Sequence, residues 1–235
     1  MRAAAFWSMV AVAVVFGQTG HADRNAEIFA ALKVSCPGYI DFMNKTQERE
    51  EEEKKNEPPP PTGTDEALKA RLIQMAAEDQ RVRRAVIDAG GFADRKSAPQ
   101  QAQVMTVDQS NLKALREIVA GNGVPTRQQV GRAGMIAIWT LIQHADTDLS
   151  LQEMALDAFA KSDSGLPREQ IALLTDRVRI HQGKLQLFGT QFQGGKPSPI
   201  EDEAHVDERR AAMDLPPLAD YACMLQVAYS ASPGK

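Results

Sequence analysis

GMIAIWTLIQHADTD, residues 134–148, is an apolar run that ends abruptly in Gln143, His144, Asp146 and Asp148. An element that is hydrophobic on nearly all sides belongs in the middle of a protein. Polar groups at its end are either partnered or functional, because burying them unpaired costs several kcal/mol. The run therefore marks a central helix and a polar site at its C-terminal end, without naming the chemistry there. Upstream, Thr126-Arg127-Gln128-Gln129 has the spacing of a capping box and starts this helix. The helix carries Met135, Ile136, Ile138, Trp139, Leu141 and Ile142 and ends near Ala145.

The flanking segments read as further helices. One covers roughly Asp65–Ala89, closed by Gly90-Gly91, with Leu68, Leu72, Met75, Val82 and Val86 as its apolar stripe. Asp79 and Gln80 interrupt the face that should be packed, and aspartate is almost never fully buried without a partner. Phe92–Val107 reads as irregular. Asp108 or a neighbour then caps a helix carrying Leu112, Leu115, Ile118 and Val119, stopped by Gly121-Asn122-Gly123. Asp148 or Ser150 caps the next helix, and Pro167 opens another that stops at Gly183, with Asp176 and Arg177 near its middle.

Past Gly183 the period changes. Leu185–Phe192, LQLFGTQF, reads as a strand, Gly194-Gly195 as a two-residue turn and Lys196–Ile200 as an edge strand limited by Pro197 and Pro199. Two helices, about Glu203–Met213 and Pro217–Tyr229, close the chain. The fold class is mainly α: a single compact multi-helix domain with one short β-hairpin, after a signal peptide and a disordered linker.

Four segments follow. Residues 1–22 read as a signal peptide, with Arg2 as the positive charge, Ala3–Gly17 as an apolar core broken only by Ser8, and cleavage after Ala22. Residues 23–44 are an N-terminal arm with a short helix over Asn25–Lys33. Residues 45–63, KTQEREEEEKKNEPPPPTG, are a charged and proline-rich linker that cannot bury a core, although the part before the prolines can be helical. Residues 64–235 hold the helical domain.

The leader implies export to a periplasmic or extracellular location, with no membrane insertion of the mature chain. In that oxidising setting Cys36 and Cys223, the chain's two cysteines, read as one disulfide, with two separate thiols as the alternative. The net charge of −4 is spread without a basic face, which argues against nucleic acid. Phosphate-binding glycine loops are absent, and neither a cofactor nor a metal signature is found.

Taken together, the pieces resemble a family of bacterial domains of unknown function, number 6624. They are Asp79-Gln80 with Arg83, the Gly123–Val130 turn, Gln143-His144-Ala145-Asp146 with Gln152, Leu174–Arg177, and Gly183…Gln186…Gly189-Thr190-Gln191. Pro199–Asp202, Val206–Arg210 and Leu215–Leu218 complete the set. Two departures stand out: Val124 where the family often has tryptophan, and Asp214 where glycine is common. The resemblance spans about Leu68–Tyr221 and implies this fold and site but no reaction.

Histidine beside a carboxylate is the usual general acid/base pair. The candidate catalytic residues are His144, with Asp79 or Asp146 as its orienting partner. Candidate ligand-binding residues are Gln80, Gln143, Asp176, Arg177, Gln186, Thr190 and Gln191. The alternative is that these groups satisfy one another as a buried network, with His144 capping its own helix as a cation. No nucleophile elbow is present. Whether the chain is an enzyme stays open: one reading is a binding module for an unknown ligand or partner in the cell envelope, the other a hydrolase.

Overall fold

The computed structural model describes residues 22–55, 65–92, 94–161 and 164–230. Residues 1–21 of the segment read as a signal peptide and the proline-rich part of the segment read as a linker lie outside them. The chain is mainly helical with one two-stranded antiparallel hairpin, and it divides into two compact units. One is built from the described residues of 58–186; the other joins the N-terminal arm to residues 187–230.

The first unit holds five α-helices: α3 (Glu66–Asp88), α4 (Ala98–Asn122), α5 (Arg127–Gln143), α6 (Leu149–Phe159) and α7 (Arg168–His181). α5 is central to it, touching α3, α4, α6 and α7. Its capping box is complete: Thr126 Oγ1 accepts from the Gln129 backbone and Gln129 Oε1 accepts from the Thr126 backbone. Val130, Met135, Ile138, Leu141 and Ile142 are buried along it, and Trp139 donates its indole N–H to the Gln170 carbonyl. Asp148 caps α6 by accepting from Leu151 N–H.

α4 differs from the expectation for Phe92–Val107. After a 3-10 turn at Arg95–Ser97 the helix begins at Ala98, a full ten residues ahead of Asp108. Pro99 sits in its first turn, where no backbone N–H is needed, and Ser97 Oγ and Gln101 Nε2 bond the carbonyls of the preceding loop. Asp108 is therefore not a cap. It lies mid-helix on the packed side, near Val104, Asn111 and Leu115.

The second unit contains α1 (Ala22–Ser35), α2 (Pro37–Lys55), the hairpin strands β1 (Phe192–Gln193) and β2 (Lys196–Pro197), α8 (Val206–Ala212) and α9 (Leu218–Ser230). Lys45–Lys55, the charged first part of the linker segment, continues α2 as helix. Leu32, Cys36, Met224 and Leu225 form a small core, and a Cys36–Cys223 disulfide joins chain positions 187 residues apart.

LQLFGTQF is not a strand beyond Phe192. The carbonyls of Leu187 and Phe188 are taken by guanidinium groups: Arg209 Nε bonds Leu187 O at 2.8 Å, and fully buried Arg210 bonds Phe188 O at 2.5 Å as well as Pro216 O at 2.6 Å. Such charge-assisted bonds outcompete a ladder that two prolines would leave incomplete. Gly194 and Gly195 both take positive φ, 58° and 79°, as a tight hairpin turn between right-twisted strands requires. Asp214 takes the left-handed backbone at φ 55° and pairs with Arg49 at 2.7 Å.

Two outcomes follow. Unfolded, unreduced protein should yield no free thiol, and replacing both Cys36 and Cys223 with Ser should cost about 3–5 kcal/mol in a urea melt. Arg210→Met should cost about 3 kcal/mol, because it leaves buried carbonyls without donors.

Candidate functional site

The site is assembled where the C-terminal end of α5 meets α3 and α4. On α3 the buried face runs Leu72, Ala76, Asp79, Val82 and Val86, so Asp79 occupies a core position and is 0% exposed. Its carboxylate accepts from three side chains. His144 Nδ1 lies 2.9 Å from Oδ2 and 3.1 Å from Oδ1. Arg83 Nε is 3.3 Å from both oxygens, and Gln80 Nε2 is 2.9 Å from Oδ2. Arg83 extends the chain to α4, where its Nη2 meets Asp108 Oδ1 at 2.5 Å.

The tautomer of His144 follows from these contacts. Arg83 Nε also stands 3.0 Å from His144 Nδ1, but both nitrogens cannot use one hydrogen-bond position on the ring. A buried carboxylate is the stronger acceptor, and two donors converging on it end up about 3 Å apart. Nδ1–H therefore donates to Asp79. Among the described residues Nε2 has no hydrogen-bond partner.

Charge reinforces this assignment. Burial, together with the positive Arg83 and Arg177, holds the His144 pKa below that of an ordinary histidine, against the pull of Asp79. His144 is thus neutral at pH 7 and does not act as a cationic cap on α5. Burial pushes Asp79 up, but the His144 and Arg83 contacts outweigh it and leave the carboxyl below its usual range. Asp108 goes the other way: burial and the nearby Asp79 and Asp146 charges raise it to about 6 in spite of Arg83.

A second set of groups ties down the same helix end. Gln152 Nε2 donates to Ile142 O at 3.1 Å and to Gln143 O at 3.4 Å, satisfying carbonyls that the helix leaves open. Its Oε1 can only accept, so His181 Nδ1–H donates to it at 3.2 Å. Asp146 pairs with Arg177 Nη1 at 2.6 Å rather than with His144. Of the two carboxylates considered for His144, Asp79 is the one in contact.

The remaining candidates are placed as follows. Gln143, Asp176, Arg177 and Gln186 are buried in this unit. Thr190 and Gln191 belong to the other unit, where Gln191 Nε2 bonds Thr190 Oγ1 at 3.1 Å. Beside the histidine lies a nearly closed depression lined by Asp79, Asp108, Asn111, Leu112, Leu141, His144 and Ala145. Gln80, Gln143, Asp146 and Gln186 do not line it, and as it stands it has no room for a water molecule. Among the described residues no group of three His, Cys, Asp or Glu side chains is arranged to hold a metal ion.

Residues 66–232 match the Family of unknown function (DUF6624). The chain belongs to this family. No curated protein and no solved structure matches it.

Asp108 and Asn111 are the residues that sequence reasoning missed. Reading α4 from Ala98 puts both on the stripe of Val104 and Leu115, at the spacing that exposed Asp79 on α3.

The opposing pKa directions set a pH dependence. The raised pKa of Asp108 gives stability that is complete below its unfolded value and lost as pH rises toward about 6. His144, being depressed, contributes the opposite slope, losing stability as pH falls below its unfolded value. Asp108→Asn removes the first of these slopes alone. Denaturation from pH 4 to 7 should show the variant gaining on wild type by roughly 2 kcal/mol as pH rises; parallel profiles would contradict the assignment.

Proposed function

We propose that this protein is exported and binds a polar ligand in the cell envelope through a site centred on His144. The observation that carries the reading is the Asp79–His144 pair. A fully buried carboxylate fixes Nδ1–H, which leaves a neutral ring with Nε2 unengaged on a residue that lines a depression. An imidazole held this way is a preorganised hydrogen-bond acceptor. Export is supported by the apolar leader pattern of the first residues and by the Cys36–Cys223 bond, which persists in oxidising compartments. No helix among the described residues is long and apolar enough to cross a membrane, in keeping with a mature chain that is not inserted.

The same pair favours a second reading, hydrolysis with His144 as general base and Asp79 as its orienting carboxylate, the nucleophile being an activated water. In both readings Asp146 and Arg177 support the site from the far side of the α5 terminus, together with Gln152.

A thermal-shift panel of envelope saccharides and peptides, each followed by mass spectrometry for cleavage, separates the two. The binding reading expects at least one compound to raise the melting temperature of the disulfide-bonded protein without being consumed. His144→Gln should lose that response while retaining the fold. Cleavage that depends on His144 would establish the hydrolase instead, and a response unchanged in His144→Gln would refute both.

A further inference from the structure

The depression beside His144 contains a polar group that the fold itself leaves unused. Asn111 stands on the packed face of α4 and is 9% exposed, yet its Nδ2 is buried without a hydrogen-bond partner. Among the described residues its side-chain amide makes no hydrogen bond at all. Buried amides are almost always paired, and an unpaired one lowers stability. An alanine here would suit the helix better and leave no orphan.

Asn111 lines the same depression as His144, whose Nε2 has no hydrogen-bond partner among the described residues. The two have opposite needs. Nδ2 requires an acceptor, and Nε2, a bare lone pair in the neutral Nδ1–H tautomer, requires a donor. We propose that the depression is the seat of a ligand hydroxyl, accepting from Asn111 Nδ2 and donating to His144 Nε2. This rests on the reading of His144 as a ligand-binding residue and names the chemical class: a neutral polyol or sugar.

Other classes fit less well. A carboxylate would satisfy Asn111 but has no proton for Nε2, and it would approach Asp79 and Asp108. An ammonium group would satisfy Nε2 but not the amide N–H. A neutral hydroxyl does both with one atom. Leu112, Leu141 and Ala145 supply apolar walls for the ligand's C–H groups. Because the depression has no room for a water molecule as it stands, ligand entry requires its lining side chains to part.

The test uses the full disulfide-bonded chain with 15N labelling. N-acetylglucosamine and myo-inositol are titrated against butylamine and acetate, following the Asn111 side-chain amide and the His144 ring nitrogens. The expected result is a shift of both groups with the two hydroxyl probes. Asn111→Ala and Asn111→Asp, each lacking the donor, should bind those probes about tenfold more weakly or worse. Asn111→Ala should also melt no lower than wild type, which separates a binding role from a structural one.

Shifts at His144 with butylamine or acetate alone would overturn the hydroxyl assignment and leave the site intact. So would Asn111 variants that bind the hydroxyl probes as well as wild type, or an Asn111→Ala that melts lower. If no probe of any class moves His144, the binding reading fails and this inference fails with it.

Discussion

A single carboxylate placed on the wrong side of a helix organises one half of this molecule. Asp79 occupies a position where the stripe of α3 demands an apolar side chain, and it is fully buried there. An isolated charge at such a depth is untenable, so its neighbours must supply donors. His144, Arg83 and Gln80 do so, and each choice has a consequence. Taking Nδ1–H of His144 fixes the ring and its tautomer. Taking Arg83 brings in Asp108 from α4, so three helices become linked through one chain of charged groups. Removing the carboxylate would leave Arg83 and His144 to settle elsewhere, at a cost of about 3–5 kcal/mol.

The α5 terminus is held as firmly from the other direction. Gln152 reaches back from α6 to the last carbonyls of α5, and His181 on α7 donates to the same amide. Arg177 clamps Asp146 in the loop that follows. A helix end usually frays, but here side chains of the next two helices close it, so the ring of His144 is positioned by its backbone as well as by Asp79. His144, whose Nε2 has no hydrogen-bond partner among the described residues, and Asn111, whose Nδ2 is buried without one, both line one depression. A donor and an acceptor left over on residues that line one depression are better suited to holding something than to holding the fold together.

Much of this was readable from residue order. The apolar run ending in QHAD gave the central helix, Thr126 and Gln129 gave its start, and Asp148 gave the next cap, because each is a local signal with a local cause. Asp79 announced itself as a break in a periodic stripe. The strand expected over Leu185–Phe192 was lost to long-range partners: the guanidinium groups of Arg209 and Arg210 lie about twenty residues downstream, and no periodicity reports them. The start of α4 was misplaced because Asp108 is a good cap in isolation, and that choice hid the periodicity placing Asp108 and Asn111 against the core. The pairing of Asp79 with His144, 65 residues apart, could be suspected but not chosen over Asp146 without coordinates.

What stands or falls is the state of one ring. His144 must be a neutral imidazole that carries its proton on Nδ1, with Nε2 left to accept. Nitrogen-15 shifts of the two ring nitrogens at pH 7 report this directly. The expected pattern is a protonated Nδ1 and a lone-pair Nε2, with titration below the range of an ordinary histidine. An imidazolium at pH 7, or a proton on Nε2, would contradict the arrangement around Asp79 and remove the acceptor on which the site depends.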